Sequence, residues 1–300
     1  MNKYKKHTIG GSIILTLCII ISIFAMIPIQ KNYRVNPWMK NVSDDRLITT
    51  MSIPGTHDSG ATHSIFDVAG KCQDLDIEAQ LEIGVRFFDI RLQQVNDKFN
   101  VVHSFVDQKL DFEDVVEDMV DFIEDYPSEF LLVSIKEDAD SKNSYKDFQS
   151  LLLTYLDEEE FCFDSTLPKT LKEARGKIYI LSRFNSTIGI NAYEGWEDST
   201  TFALNDLYVQ DNYSIDDINI KKKDIENSIN FAKDNKDKLV LNFTSCYLNN
   251  AFPPTYAGTA ALTINPWLIN KINNNKDTLG IIVADFINKE LAESIYMRNY

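Results

Sequence analysis

From residue 36 onward, short apolar or β-branched runs alternate with stretches of helical periodicity. Eight runs read as strands: Leu47–Ile53, Val85–Ile90, Phe99–Val102, Phe130–Ile135, Lys177–Leu181, Leu207–Gln210, Leu239–Phe243 and Leu279–Ala284. Between them, Asp111–Tyr126 places Phe112, Val115, Val116, Met119, Phe122 and Ile123 on one stripe at i, i+3, i+4, i+7 spacing, which predicts an amphipathic helix. Tyr145–Leu156, Lys222–Ala232 and Lys289–Arg298 predict further helices. Strands that alternate with helices imply a parallel sheet, and eight of them imply closure into a single (β/α)8 barrel of somewhat irregular form. No internal repeat or low-complexity linker interrupts the chain after residue 45, so residues 36–300 read as one domain.

The N-terminus follows a different pattern. Lys3, Lys5 and Lys6 precede an uncharged run from Thr8 to Gln30 dominated by Ile, Leu and Phe. Lysines ahead of such a run predict an export signal or a membrane anchor, with the lysines left inside. The run exceeds the roughly 7–15 residues of a signal core and approaches the roughly 20 that span a bilayer. Cleavage and retention both stay open, and export to the outside of the cell, free or anchored at the outer face of the membrane, is the expectation.

Losing residues 1–30 removes three lysines and no acids, which takes the formal charge from −15 to −18. That charge argues against a nucleic-acid partner and offers no general attraction to anionic lipid. Cys72, Cys162 and Cys246 are isolated in sequence, without a C-x-x-C or a neighbouring His, so they predict small buried residues rather than a disulfide framework or a zinc site.

The candidate chemistry lies where the predicted strands end. The first leads into Ser52-Ile-Pro-Gly-Thr-His57-Asp58-Ser-Gly60, a His and an Asp on a glycine-flanked turn. In a chain with four His, that is the layout of an acid–base site. The later strand ends bring Asp89 with Arg91, His103, Lys136, Arg183, Asp211 with Tyr213, Ser245, and Asp285. Barrel enzymes do their chemistry at this end of the sheet. Guanidinium and ammonium groups beside hydroxyl-binding acids suit a ligand with a phosphate and several hydroxyls. Asp89 and Arg91, two apart on one strand, also suit a buried ion pair.

The segments SIPGTHDSG (52–60), GVRFFDIR (84–91), the VVH ending at His103, VSIKE (133–137), ARGKIYILSRF (174–184), VQDNY (209–213), NFTS (242–245) and VADF (283–286) together resemble the bacterial phosphatidylinositol-specific phospholipase C family. The resemblance implies an irregular (β/α)8 barrel that cleaves phosphatidylinositol into diacylglycerol and inositol 1,2-cyclic phosphate, with no cofactor and no protein partner. It implies His57 as the base for the inositol 2-hydroxyl, oriented by Asp285. It also implies His103, coupled with Asp58, as the acid for the leaving oxygen, and Arg91 on the phosphate. Asp89, Lys136, Arg183, Asp211 and Ser245 would hold inositol hydroxyls, with the Tyr213 ring packed on the sugar. A guanidinium at 91 stands where a calcium-dependent relative needs an oxygen ligand, so no metal is expected. Ser104 departs from the glycine usual after the second His.

After the seventh strand, Phe252 and Tyr256 on a Pro-containing loop suit insertion into a lipid interface, or packing back on the barrel. The implied partner is phosphatidylinositol in membranes or the related glycosylphosphatidylinositol anchors. Two other functions fit parts of this pattern: a metal-dependent glycerophosphodiester-type phosphodiesterase, against which Arg91 and Arg183 count, and a catalytically decayed inositide-binding surface protein.

Overall fold

Parallel pairing dictates the strand positions. In the computed structural model, which describes residues 34–63, 70–104, 106–249, 257–274 and 277–300, β1 (Ser52–Thr56) is buried along its whole length. A strand covered on both faces is what a parallel barrel requires. The expected signal or anchor at residues 1–30, and Phe252 and Tyr256, lie outside the described residues. Among the described residues no helix is long and apolar enough to cross a membrane.

The remaining strands are β2 (Phe87–Val95), β3 (Lys98–His103), β4 (Val106–Asp111), β5 (Leu131–Glu137), β6 (Phe161–Cys162) and β7 (Ile178–Arg183). They continue with β8 (Ile190–Asn191), β9 (Thr201–Leu204), β10 (Leu207–Gln210), β11 (Ser214–Ile215), β12 (Leu239–Phe243), β13 (Tyr247–Leu248) and β14 (Gly280–Ala284). The main sheet runs β6-β7-β5-β2-β1-β14-β12-β10-β9, parallel throughout until β9 closes its edge antiparallel to β10. Ile53, Phe87, Leu132, Leu181, Val209, Leu241, Ile281 and Val283, drawn from successive parallel strands, share one buried core. Gly55 is needed there: a Cβ would lie 2.9 Å from Cδ1 of Phe87.

Three expectations change. The run around Val101 is not a barrel strand: β3 folds back antiparallel on β2, so His103 reaches the barrel mouth on a hairpin. The cause is local. Asn96 and Asp97, both at positive φ, form a two-residue connection between Val95 and Lys98, and such turns match strand twist and close hairpins. The eighth parallel position belongs instead to the short β6. The first strand begins later than Leu47 because Ile48–Thr50 form a 3₁₀ turn.

Helices α1 (Ile77–Ile83) and α2 (Phe112–Asp125) are followed by α3 (Phe148–Leu152), all that remains of the longer helix expected over 145–156. Asp147 caps α3 by accepting the Ser150 N–H, so the helix begins only there. Next come α4 (Leu171–Ala174), α5 (Ile218–Asp234), α6 (Ala257–Asn273) and α7 (Lys289–Tyr296). The sequence reading omitted α6, whose internal Pro266 reads as a breaker. This helix supports the site: Asn265 Nδ2 donates to the backbone carbonyl of Asp285 at 2.9 Å.

Candidate active site

The C-terminal ends of the parallel strands surround a cavity of about 530 Å³, lined by His57, Arg91, His103, Lys136, Arg183, Asp211, Tyr213, Ser245 and Asp285. Side chains far apart in sequence meet here because parallel register aligns the strand ends: Ala284 pairs with Thr56, and Lys136 with Arg91 and Arg183.

Arg91 is the centre of the arrangement. Its Nη2 lies 2.8 Å from His57 Nε2, its Nη1 lies 3.2 Å from Asp58 Oδ2, and its Nε and Nη2 reach Asp89 Oδ2 at 3.1 and 3.0 Å. Burial works against its charge, but Asp58, Asp89 and Asp138 outweigh it and push the guanidinium pKa further up. A guanidinium only donates, so His57 Nε2 accepts and the ring proton sits on Nδ1, 2.7 Å from Asp285 Oδ1. This tautomer leaves the lone pair of a general base on Nε2. Burial opposes protonation of His57, yet Asp285 overrides it and leaves the pKa above the usual imidazole value.

On the other side of Arg91, His103 Nε2 lies 3.4 Å from Asp58 Oδ2. His103 Nδ1 and Asp58 Oδ2 are both buried without a hydrogen bond. Burial raises the Asp58 pKa despite Arg91 and His103. Asp58 sits at φ +47 and Ser104 at φ +54, conformations uncommon for residues with a side chain. Ser104, the departure from the family's glycine, is held by its N–H donating to Asp138 Oδ2 at 2.8 Å.

Asp89 requires a correction. It is wholly buried beneath the cavity rather than lining it. Its oxygens accept from the Asp58 N–H, Arg91, Ser134 and Arg183, the last at 3.3 Å, which leaves no face for an inositol hydroxyl. Burial alone would raise its pKa, but Arg91 and Arg183 hold it far below the usual carboxylate range. It is the ion-pair partner that its two-residue spacing from Arg91 allowed.

The rest of the cavity has fewer internal partners. Lys136 pairs with Asp138. Arg183 stacks on Trp196 with Cζ 3.8 Å from the ring centroid, and burial lowers its pKa. Asp211 accepts from Trp196 Nε1 at 3.2 Å. Tyr213 donates to Asp198, and that bond, followed by burial, pushes its pKa up to about 12. Ser245 Oγ is buried without a hydrogen bond.

The sequence reading missed Asp138, just past the end of β5 and two residues beyond Lys136, and Trp196, which carried no strand-end signal. It also missed that Cys72 and Cys246, read only as buried filler, line the cavity. Cys72 lies near both His–Asp pairs, and the groups His57–Cys72–Asp285 and Asp58–Cys72–His103 have the donor types of a metal site. In both groups Arg91 already holds a member, His57 Nε2 in one and Asp58 Oδ2 in the other.

The fold and this site together define a barrel enzyme equipped for acid–base cleavage of a phosphodiester. The family model for the X domain of phosphatidylinositol-specific phospholipase C matches residues 51–184. A Staphylococcus aureus 1-phosphatidylinositol phosphodiesterase is 32% identical over 276 residues, covering 83% of this chain and 87% of that protein. A Listeria monocytogenes protein of the same name is 25% identical over 321 aligned positions, covering 98% of each. A solved phosphatidylinositol-specific phospholipase C from S. aureus superimposes with a TM-score of 0.77 at 29% identity, over 86% of this chain and 97% of that one. This chain belongs to the phosphatidylinositol-specific phospholipase C family.

Proposed function

We propose that this protein cleaves phosphatidylinositol by intramolecular attack of the inositol 2-hydroxyl on phosphorus, releasing diacylglycerol and leaving inositol 1,2-cyclic phosphate. The observation that carries the reading is that two His–Asp pairs flank one guanidinium: Asp285–His57 on one side, Asp58–His103 on the other. A neighbouring hydroxyl has high effective molarity, so the enzyme needs chiefly a base, an acid and charge stabilisation.

His57 Nε2 takes the 2-hydroxyl proton as the new O–P bond forms, and Asp285 stabilises the imidazolium across Nδ1. For this, Arg91 Nη2 must turn from His57 to the phosphate, where it meets charge on the non-bridging oxygens. His103, held by Asp58, gives a proton to the glycerol oxygen as the P–O bond breaks. Both protons are accounted for: one enters at His57, one leaves from His103. Lys136, Arg183, Asp211, Tyr213 and Ser245 line the part of the cavity that would receive the ring hydroxyls.

The reaction is metal-independent because Arg91 supplies the positive charge that a divalent cation would supply elsewhere. The uncharged run at residues 8–30 supports export, with membrane phosphatidylinositol as the substrate pool. Glycosylphosphatidylinositol anchors share the same reacting centre and are proposed as a second source.

Phosphorus NMR of the reaction on phosphatidylinositol vesicles in excess EDTA tests this. A cyclic inositol phosphate signal is expected. Activity that EDTA abolishes and calcium restores would contradict the role given to Arg91.

A further inference from the structure

Beneath the inositol side of the cavity lies a buried cation that the mechanism above does not use. Lys221, in the first turn of α5, is fully buried. Its Nζ donates to Gln210 Oε1 at 3.0 Å and to the backbone carbonyl of Asn212 at 2.7 Å. No carboxylate lies within ion-pair distance of it among the described residues. Placing an ammonium in an interior without an ion-pair partner is costly, and a Met of similar length would fill the space without that cost.

The two acceptors lie on either side of a cavity residue. Gln210 ends β10, Asp211 follows, and Asn212 leads to Tyr213. Gln210 Oε1 also accepts the Asn212 N–H at 2.9 Å, so the amine and the amide together fold residues 210–213 around one oxygen. The other end of the same side chain donates to Asn242 Oδ1 at 2.9 Å and to the Phe243 carbonyl at 2.7 Å, two residues before Ser245. Asn242 Nδ2 in turn donates to the Ile225 carbonyl in α5. Lys221 thus ties the helix directly to the strand end that bears Asp211 and Tyr213, and through Gln210 to the one that leads to Ser245.

We propose that Lys221 is a positioning residue for inositol binding, fixing the 210–213 segment and the end of β12 so that Asp211, Tyr213 and Ser245 face the ring together. It does not touch the substrate, and it acts on binding rather than on the proton transfers around Arg91. The inference rests on the function proposed above.

Charge contributes as well as geometry. Asp211, Cys246, Asp224 and Asp285 are the ionisable groups that face Lys221, and Asp211 acts on it most strongly among them. Burial, only partly offset by these groups, brings the amine down to about 8. The folded pKa is lowered, so the charge is lost as pH rises through that value, and its charge-assisted bonds weaken to neutral ones.

The test uses Lys221→Met and wild type on a soluble inositol phosphodiester at pH 7, with a thermal melt of each. Wild type that cleaves no inositol phosphodiester defeats the proposed function itself, apart from this inference. With wild type active, the folded variant is expected to show a melting temperature equal to or above wild type. Its KM should rise about tenfold, the value of one positioning hydrogen bond, with kcat changed less than about twofold. An unchanged KM in the folded variant overturns the proposal, as does a loss confined to kcat. Should Lys221→Met not fold, Lys221→Gln decides on the same readouts: a raised KM at nearly constant kcat supports the role, and an unchanged KM refutes it.

Discussion

The two sides of the cavity are built differently. Around Arg91, the charged groups are paired with one another: Asp285 holds His57, Asp58 and Asp89 hold Arg91, and Asp58 also faces His103, whose Nδ1 has no hydrogen bond. On the side assigned to the ring hydroxyls, Tyr213 and Lys136 are only partly buried, each held by one acid, and Ser245 Oγ has no hydrogen bond. Where charge develops in the transition state, Asp58 and Asp89 already hold the guanidinium in place, so only the Nη2 contact to His57 has to be exchanged for the phosphate. Where the substrate must enter and leave, bonding capacity is left for its hydroxyls. Substitutions at Arg91 and its partners should therefore act on kcat, and those on the hydroxyl side on KM.

The largest effect is expected from Arg91→Lys. An ammonium cannot span Asp58, Asp89 and the phosphate as the planar fork does, and kcat should fall about 10²–10³-fold. A fall seen only in KM would move Arg91 to the binding side. Asp285→Asn should lower kcat by about 10²-fold or more and shift the acid limb of the pH–rate profile. His57 must be neutral to act as base, and Asp285 raises its pKa above 6.5. In wild type, activity should therefore drop as pH falls through a value above 6.5, and the variant's limb should move to lower pH. A limb that stays in place would mean that another group titrates.

Asp89→Asn separates support from contact. Leaving Arg91 and Arg183 under-compensated should cost about 3 kcal/mol of stability, read by denaturant unfolding. Competitive inhibition by free myo-inositol should persist at nearly the wild-type constant, whereas a hydroxyl-binding Asp89 would lose it. The smallest effect is expected at Tyr213→Phe. The ring stays and one bond to Asp198 goes, so KM should change by about 2–10-fold, equivalent to about 0.5–1.5 kcal/mol.

The barrel and most of this site were legible in the sequence for a physical reason. Parallel strands covered on both faces are continuous apolar runs, and the polar residues that end them are conspicuous. His57, Asp58, Arg91, Lys136, Arg183 and Asp285 could be read in that way. His103 was found for a partly wrong reason: its apolar run looked like a barrel strand, and the Asn96–Asp97 turn that makes it a hairpin was passed over. The role of Asp89 was ambiguous because spacing places it beside Arg91 but does not show which face is sealed. Trp196, Asp138 and Lys221 act through contacts between segments distant in sequence or between elements, which no local pattern encodes. Ser104 shows the opposite case: a missing glycine whose strained φ is held by Asp138.

The central claim is that His57 and His103 serve opposite ends of one displacement across Arg91. Leaving-group dependence tests it most directly. His57→Ala and His103→Ala should each lose about 10²–10⁴-fold on phosphatidylinositol. On an inositol nitrophenyl phosphodiester, whose leaving group needs no proton, His103→Ala should recover much of the loss and His57→Ala should recover none. Equal behaviour of the two variants on that substrate would contradict the assignment of base and acid.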